Sequence, residues 1–212
     1  MADLSDVQSA APVKIVGSDS NGVETNPVSA PTTTPGLADA ALPVRPIPFE
    51  PQTYSATASN FVSAATATDV FNIVGSGSKT IRIHKVRVTG STTSGSAIKL
   101  NVMGIKRSAA NTGGTRVVAT NVAHDSNNAA ATANIGHYTA NPSGLGAAVG
   151  TMRASHVGIT QSGLSGGAVE WDFAAAGQPV ILRGTSEQFC VNFNSTTVSG
   201  ALISIIVEWS EV

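Results

Sequence analysis

The stretch Glu187–Trp209, EQFCVNFNSTTVSGALISIIVEW, constrains the fold more than any other part of the chain. Phe189, Val191 and Phe193 alternate with Gln188, Cys190 and Asn192. At two residues per repeat, this alternation puts three large apolar side chains on one face of a strand. Beyond the turn-rich Asn194–Gly200, Ile203, Ile205, Val207 and Trp209 fall on one face, and Leu202, Ser204, Ile206 and Glu208 on the other. The mixed second face places this strand inside a sheet, beside a neighbour. Two long strands with a short connection predict an antiparallel hairpin at the middle of a β-sandwich.

Composition points the same way. Only 12% of the 212 residues are charged, about half the share in an ordinary soluble domain. Ser, Thr, Asn, Ala and Gly take their place, a composition that suits strands and turns better than water-facing helices. The chain length allows one sandwich domain. A net charge of −1 removes the basis for non-specific nucleic-acid binding. No apolar run approaches a membrane span, and the acidic start MADLSDVQSAAPVK lacks the apolar core of a secretory signal. These features predict a soluble protein made in the cytoplasm of its producer. The single cysteine, Cys190, excludes an internal disulfide, and its place in the strand predicts a semi-exposed, inert thiol; a bond to a second copy is the other option.

Residues 1–52 read differently from the rest. Eight of the ten prolines lie between Pro12 and Pro51. Proline fixes φ and donates no backbone hydrogen bond, so Pro43–Pro51 is expected to be extended and unable to enter a central strand. The segment is a loose tail or an arm lying on a neighbouring subunit, for which Val44, Ile47 and Phe49 supply apolar surface. Residues 53–212 form the sandwich domain.

Within that domain, Tyr54–Phe61 and Thr66–Val74 read as strands, with Gly75–Ser78 as a hairpin turn after them. In Thr80–Thr89 the apolar phase slips between Ile83 and Val86, which predicts a β-bulge near His84-Lys85. A second slip, from Val102 to Ile105, predicts a bulge or bend at Gly104. Asn111–Gly114 is a turn, and Arg116–Val122 a shorter strand. Residues 123–167 read as long loops with short strands near Ile135–Tyr138 and Met152–Ile159. Val169, Trp171 and Phe173 mark a clear strand, followed by Val180–Leu182. The total is eight or nine strands, spaced as in an all-β antiparallel sandwich; a jelly roll is the first choice and an immunoglobulin-like sandwich the second.

No motif points to catalysis, a cofactor or a metal. Gly163–Gly167 fits G-x-S-x-G, but an alternating strand follows where a nucleophile elbow needs a helix. Gly75–Thr80 lacks the glycine before Lys79 that a phosphate-binding loop requires. His84, His124, His137 and His156 show no paired ligand spacing, and Asp19, Asp39, Asp69, Asp125 and Asp172 form no calcium loop. Trp171 and Trp209 lie on apolar faces and read as core. The competing reading makes Trp171, Tyr138 or loop residues within 123–167 a platform for a sugar or receptor.

Two stretches carry a resemblance. Val13–Val28, VKIVGSDSNGVETNPV, resembles opening segments of small structural proteins of tailed bacteriophages. Ile181–Trp209 resembles the closing hairpin of jelly-roll proteins from such virions. Together they cover about a fifth of the chain. The resemblance implies a non-enzymatic virion component, made in the host cytoplasm, of the capsid decoration or cement type; collar, head-fibre and tail-associated proteins share the pattern. Its implied partners are the major capsid protein and further copies of the chain, as a dimer or trimer. The implied arm contacts are Val13, Ile15, Val44, Arg45, Ile47 and Phe49, with Arg45 able to make a charge-assisted bond to an acidic or carbonyl-rich shell.

Overall fold

The computed structural model describes residues 17–18, 24–25, 51–93, 96–160 and 166–212. The chain divides into two units, Met1–Phe49 and Glu50–Val212. In the first, β1 (Gly17–Ser18) pairs antiparallel with β2 (Glu24–Thr25). Val13, Ile15, Val44, Arg45, Ile47 and Phe49 lie outside the described residues.

The second unit is all β, with twelve strands among the described residues: β3 (Gln52–Phe61), β4 (Thr66–Val74), β5 (Ile81–Thr92), β6 (Ile98–Arg107), β7 (Thr115–Val118), β8 (Asn121–Ala123), β9 (Asn134–Ala140), β10 (Ala148–Ile159), β11 (Ala168–Asp172), β12 (Val180–Leu182), β13 (Gln188–Thr197) and β14 (Ala201–Glu211). The first sheet runs β11-β5-β14-β3-β8, with β12 also on β5; the second runs β10-β6-β13-β4-β9-β7.

The closing stretch is not the hairpin its spacing predicts. β13 lies between β6 and β4 in the second sheet, whereas β14 lies between β5 and β3 in the first. The connection crosses the sandwich, helped by left-handed backbone at Asn194, Ser195 and Gly200. Crossing lets both apolar faces enter one core. Phe189, Val191 and Phe193 share a hydrophobic cluster with Ile203, Ile205, Val207 and Trp209; in a hairpin the two strands would lie side by side in one sheet and need other partners. Burial of each such side chain contributes about 1.5–3 kcal/mol.

The wiring is that of a jelly roll. β3 pairs β14, β4 pairs β13, β5 pairs β12 and β11, and β6 pairs β10, all antiparallel. The body is therefore one long ribbon, its first strand against its last, wrapped so that successive pairs lie in alternate sheets. β14 against β5 and β13 against β6 join the wraps side by side. Gly75–Ser78 consequently links the two sheets rather than closing a hairpin.

β7, β8 and β9 are inserted between β6 and its ribbon partner. β9 pairs β4 and β8 pairs β3, so the insertion lengthens both sheets. What reads as one strand over Arg116–Val122 is thus two, broken at Ala119-Thr120. The span 123–167 is also more ordered than its small polar composition predicts, since β10 alone has 12 residues.

The two phase slips have different causes. In β5, Lys85 opposes Glu208 and Ile83 opposes Trp209, leaving His84 as the extra residue of the expected bulge. β6 keeps an unbroken register with β13, and the unopposed residues on its other side are Val149 and Met152 of β10. Ile105 breaks phase because it sits on the outer face of the second sheet, opposite Cys190. Gly104 stays on the core face, where a Cβ would lie 2.7 Å from Phe189 Cζ and 3.0 Å from Trp171 Cζ3. These rings are themselves packed edge to face, 6.4 Å between centroids.

Gly104→Ala is accordingly expected to lower unfolding free energy by about 1–3 kcal/mol through overpacking, measured by chemical denaturation. Strand propensity alone would give the opposite sign, so a raised midpoint would show that ring contact does not dictate the glycine.

Candidate functional site

The described part of the molecule gathers its chemistry-bearing side chains on the outer face of the second sheet. Alternation puts Gln188, Cys190 and Asn192 of β13 there, beside Asp69 and Asn72 of β4 and Arg107 of β6. All six are buried. The covering layer is formed by the loops after β6 and before β10: Asn111 Oδ1 accepts from Gly146 N at 2.9 Å, and Thr112 and Gly144 exchange backbone hydrogen bonds. Gly113 and Gly114, both at positive φ, turn the chain at the edge of this cover.

At the centre Arg107 grips Asp69 with two parallel bonds, Nε to Oδ2 and Nη2 to Oδ1, each 2.8 Å. Asn192 Nδ2 donates to Oδ1 at 2.6 Å and Asn111 Nδ2 to Oδ2 at 2.8 Å. Arg107 Nη1 donates to Gly146 O at 2.7 Å. Burial raises the Asp69 carboxyl, but these donors and the Arg107 charge outweigh it and hold the group below the ordinary carboxylate range. The network continues outward. Asn72 donates to Gln188 Oε1 at 2.8 Å and accepts from Arg116 Nε at 2.8 Å, while Gln188 Nε2 donates to Ala109 O at 3.0 Å. With four donors on its two oxygens, Asp69 has no lone pair left for a substrate proton or a metal. The arrangement holds loops to a sheet.

A second buried carboxylate does the same at one end of the core. Glu211 Oε1 accepts from the N–H of Thr132 (2.9 Å), of Ala133 (3.0 Å) and from the Trp209 indole (3.1 Å). Its Oε2 accepts from the Thr132 hydroxyl at 2.7 Å. Burial again pushes the carboxyl up, and these hydrogen bonds bring it below its usual value. Tyr54 stacks on Trp209 and donates to Ala129 O at 2.8 Å, so the 129–133 segment is tied at two points.

The residues singled out from the sequence are dispersed. His84 pairs with Ser210 Oγ at 2.8 Å, and His137 lies against Phe61; burial lowers the pKa of both. Among the described residues no three His, Cys, Asp or Glu are grouped to hold a metal ion, and no helix is long and apolar enough to cross a membrane. Gly163–Ser165 lie outside the described residues; Gly166-Gly167 lead directly into β11. Trp171, Trp209 and Tyr138 are all buried, so neither Trp171 nor Tyr138 offers a face to a sugar.

Cys190 corrects another expectation. It is fully buried rather than semi-exposed, with Asn111 Nδ2 at 3.9 Å from its sulfur. Burial, reinforced by the Asp69 charge, pushes the thiol well up, and a disulfide to a second copy is blocked by the covering loop.

Five of the eight large exposed apolar side chains among the described residues stand on outermost strands; Val62, Leu145 and Val212 lie outside the strands. Val117, Val118 (65% exposed) and Val122 (56%) follow one another on β7 and β8, the outermost strands on one side. Val149 (64%) and Met152 stand at the two irregularities of β10, outermost on the other.

The polar network was missed from sequence, although a signal existed. Gln188, Cys190 and Asn192 form a face with no formal charge, unlike the Lys- and Glu-rich faces of strands open to water. No protein-family model matches the chain, and neither a curated protein nor a solved structure matches it.

Three outcomes follow from this geometry. Asp69→Asn leaves Arg107 buried without a counter-charge and should cost about 3–5 kcal/mol in denaturant titrations. Because Asp69 and Glu211 are both held low when folded, their contribution is complete above the ordinary carboxylate range, about pH 4, and fades as pH drops through the native values. Denaturation midpoints should begin to fall below about pH 6.5, where the buried His84 and His137 resist the proton the unfolded chain takes up, and fall further below about pH 4 as the carboxylates titrate; Glu211→Gln should flatten part of the second fall only. Finally, a thiol-reactive dye should label Cys190 only as fast as the protein unfolds; rapid labelling of native protein would contradict the covering loop.

Proposed function

We propose that the protein is a non-enzymatic structural component of a tailed-phage virion, a decoration or cement protein that binds the outer shell of the head. The observation that carries this reading is the distribution of surface and buried chemistry in the jelly-roll body. The clustered ionisable groups are consumed in holding loops to sheets, while Val117, Val118, Val122, Val149 and Met152 are exposed on outermost strands at both sides of the sandwich. Binding by edges suits a protein that lies across several subunits.

In this reading the proline-rich segment 1–52 is the strap and the sandwich is the knob. Val13, Ile15, Val44, Ile47 and Phe49 supply apolar anchors to the major capsid protein or to a neighbouring copy, and Arg45 a charge-assisted bond. Short polar side chains keep the desolvation cost of flat contacts low. Many equivalent copies then add avidity without any single strong pocket. Collar, head-fibre and tail positions would use the same mechanism on a different surface.

Deleting residues 1–50 should leave a folded body, with its thermal transition retained, that no longer sediments with undecorated empty heads, whereas the full-length protein does. Undiminished co-sedimentation of the truncated chain would remove the strap from the mechanism. Specific binding on a glycan array would replace the shell by a receptor as the target.

A further inference from the structure

A groove of about 490 Å³ lies where β10 ends the second sheet and the connection from β11 to β12 ends the first. Phe173, Pro179, Val180 and Met152 give it apolar walls, and Lys106, Arg153 and Arg183 line it with positive charge. Lys106 is already engaged: its Nζ donates to Ile181 O at 2.8 Å and lies 3.4 Å from Glu187. Arg153 and Arg183 differ, because among the described residues neither has a carboxylate partner.

The Arg153 guanidinium sits 5.2 Å from the centroid of the Phe173 ring and donates to Met152 O at 3.0 Å. An arginine held over an aromatic face keeps in-plane N–H groups available to a planar acceptor such as a carboxylate. Residues 51–212 carry ten Lys and Arg against seven Asp and Glu. Of those seven, Asp69 and Glu211 are buried, and Glu187 is occupied by Lys106 and by the Arg183 N–H. The groove is therefore a positive site without its complement.

We propose that this groove binds an extended acidic peptide segment of a partner protein, with its carboxylates on Arg153 and Arg183. An extended segment is favoured over a free anion because Met152 and Arg153, which line the groove, belong to β10, the outermost strand of the second sheet. Gly158 O on that edge is taken by Gly167 N at 2.9 Å, while the stretch nearer Arg153 has no strand beside it among the described residues. Strand addition there supplies main-chain affinity and the two arginines select acidic side chains.

The test uses the full chain and fluorescence anisotropy with three labelled probes: a peptide of alternating Thr and Asp, the same peptide with Asn for Asp, and a single-stranded oligonucleotide. The Asp peptide should bind at least about tenfold tighter than the Asn peptide, and Arg153→Gln and Arg183→Gln should each weaken it about tenfold, as loss of a hydrogen bond to a charged group predicts. Lys99→Gln, an exposed change at the far end of β6, should leave binding unchanged. The Arg183 side chain is exposed, so that variant remains informative even if Arg153→Gln disturbs the ring it covers; thermal melts verify folding. Equal affinity for the Asp and Asn peptides, or no loss in Arg183→Gln, overturns the proposal. So does tighter, arginine-dependent binding of the oligonucleotide.

Discussion

The facing of β13 and β14 across the core is the constraint on which the rest of the body depends. Each is the inner strand of its own sheet, and each carries an uninterrupted row of large apolar side chains toward the other. The two strands adjoin in sequence, so placing them in opposite sheets commits the chain to wrap. Partners of β13 must come from one set of strands and partners of β14 from the other. The pairing of first strand with last and second with next-to-last follows from satisfying both ladders at once, since every buried N–H and C=O needs an acceptor or donor. A wrapped ribbon meets that demand with short connections and leaves few long edges.

The outer faces of the two sheets are handled differently. On the first sheet Ile206, Glu208, Lys85 and Arg87 stay partly in water, and Lys85 meets Glu170 in an exposed pair that contributes little. On the second sheet the covering loops exclude water from Asp69, Arg107, Asn72 and Gln188. Desolvating an ion pair is costly, and an apolar layer of equal volume would often be at least as stable. The polar layer adds direction: a bidentate pair and two amides accept only one placement of the 108–112 and 144–147 segments. Glu211 orients the 129–133 segment by the same device.

Satisfied networks inside and open edges outside give the surface its character. The insertion β7–β9 ends one side in exposed valines, and β10 ends the other with Val149 and Met152 where its register slips. Irregular edge strands resist unwanted sheet-to-sheet growth while still presenting main-chain groups to a chosen partner. The basic groove beside β10 lies on such an edge.

Alternation by itself determined the inward rows of β13 and β14, the core positions of both tryptophans and the bulge at His84, because a period of two is a local property that each strand carries in its own residues. Composition likewise set the 1–52 segment apart from the body. Which strands pair was decided only in the tertiary structure: the same two rows in Glu187–Trp209 serve a hairpin or a crossing, and burial of both rows in one core selects the crossing. The slip at Ile105 reads as a bend and Cys190 as a semi-exposed thiol, yet both belong to the outer face of the second sheet, the floor of a buried network covered by the loops around Asn111 and Gly146. Long-range desolvation leaves no local period, and for that reason Asp69, Arg107 and Cys190 take their roles from the fold.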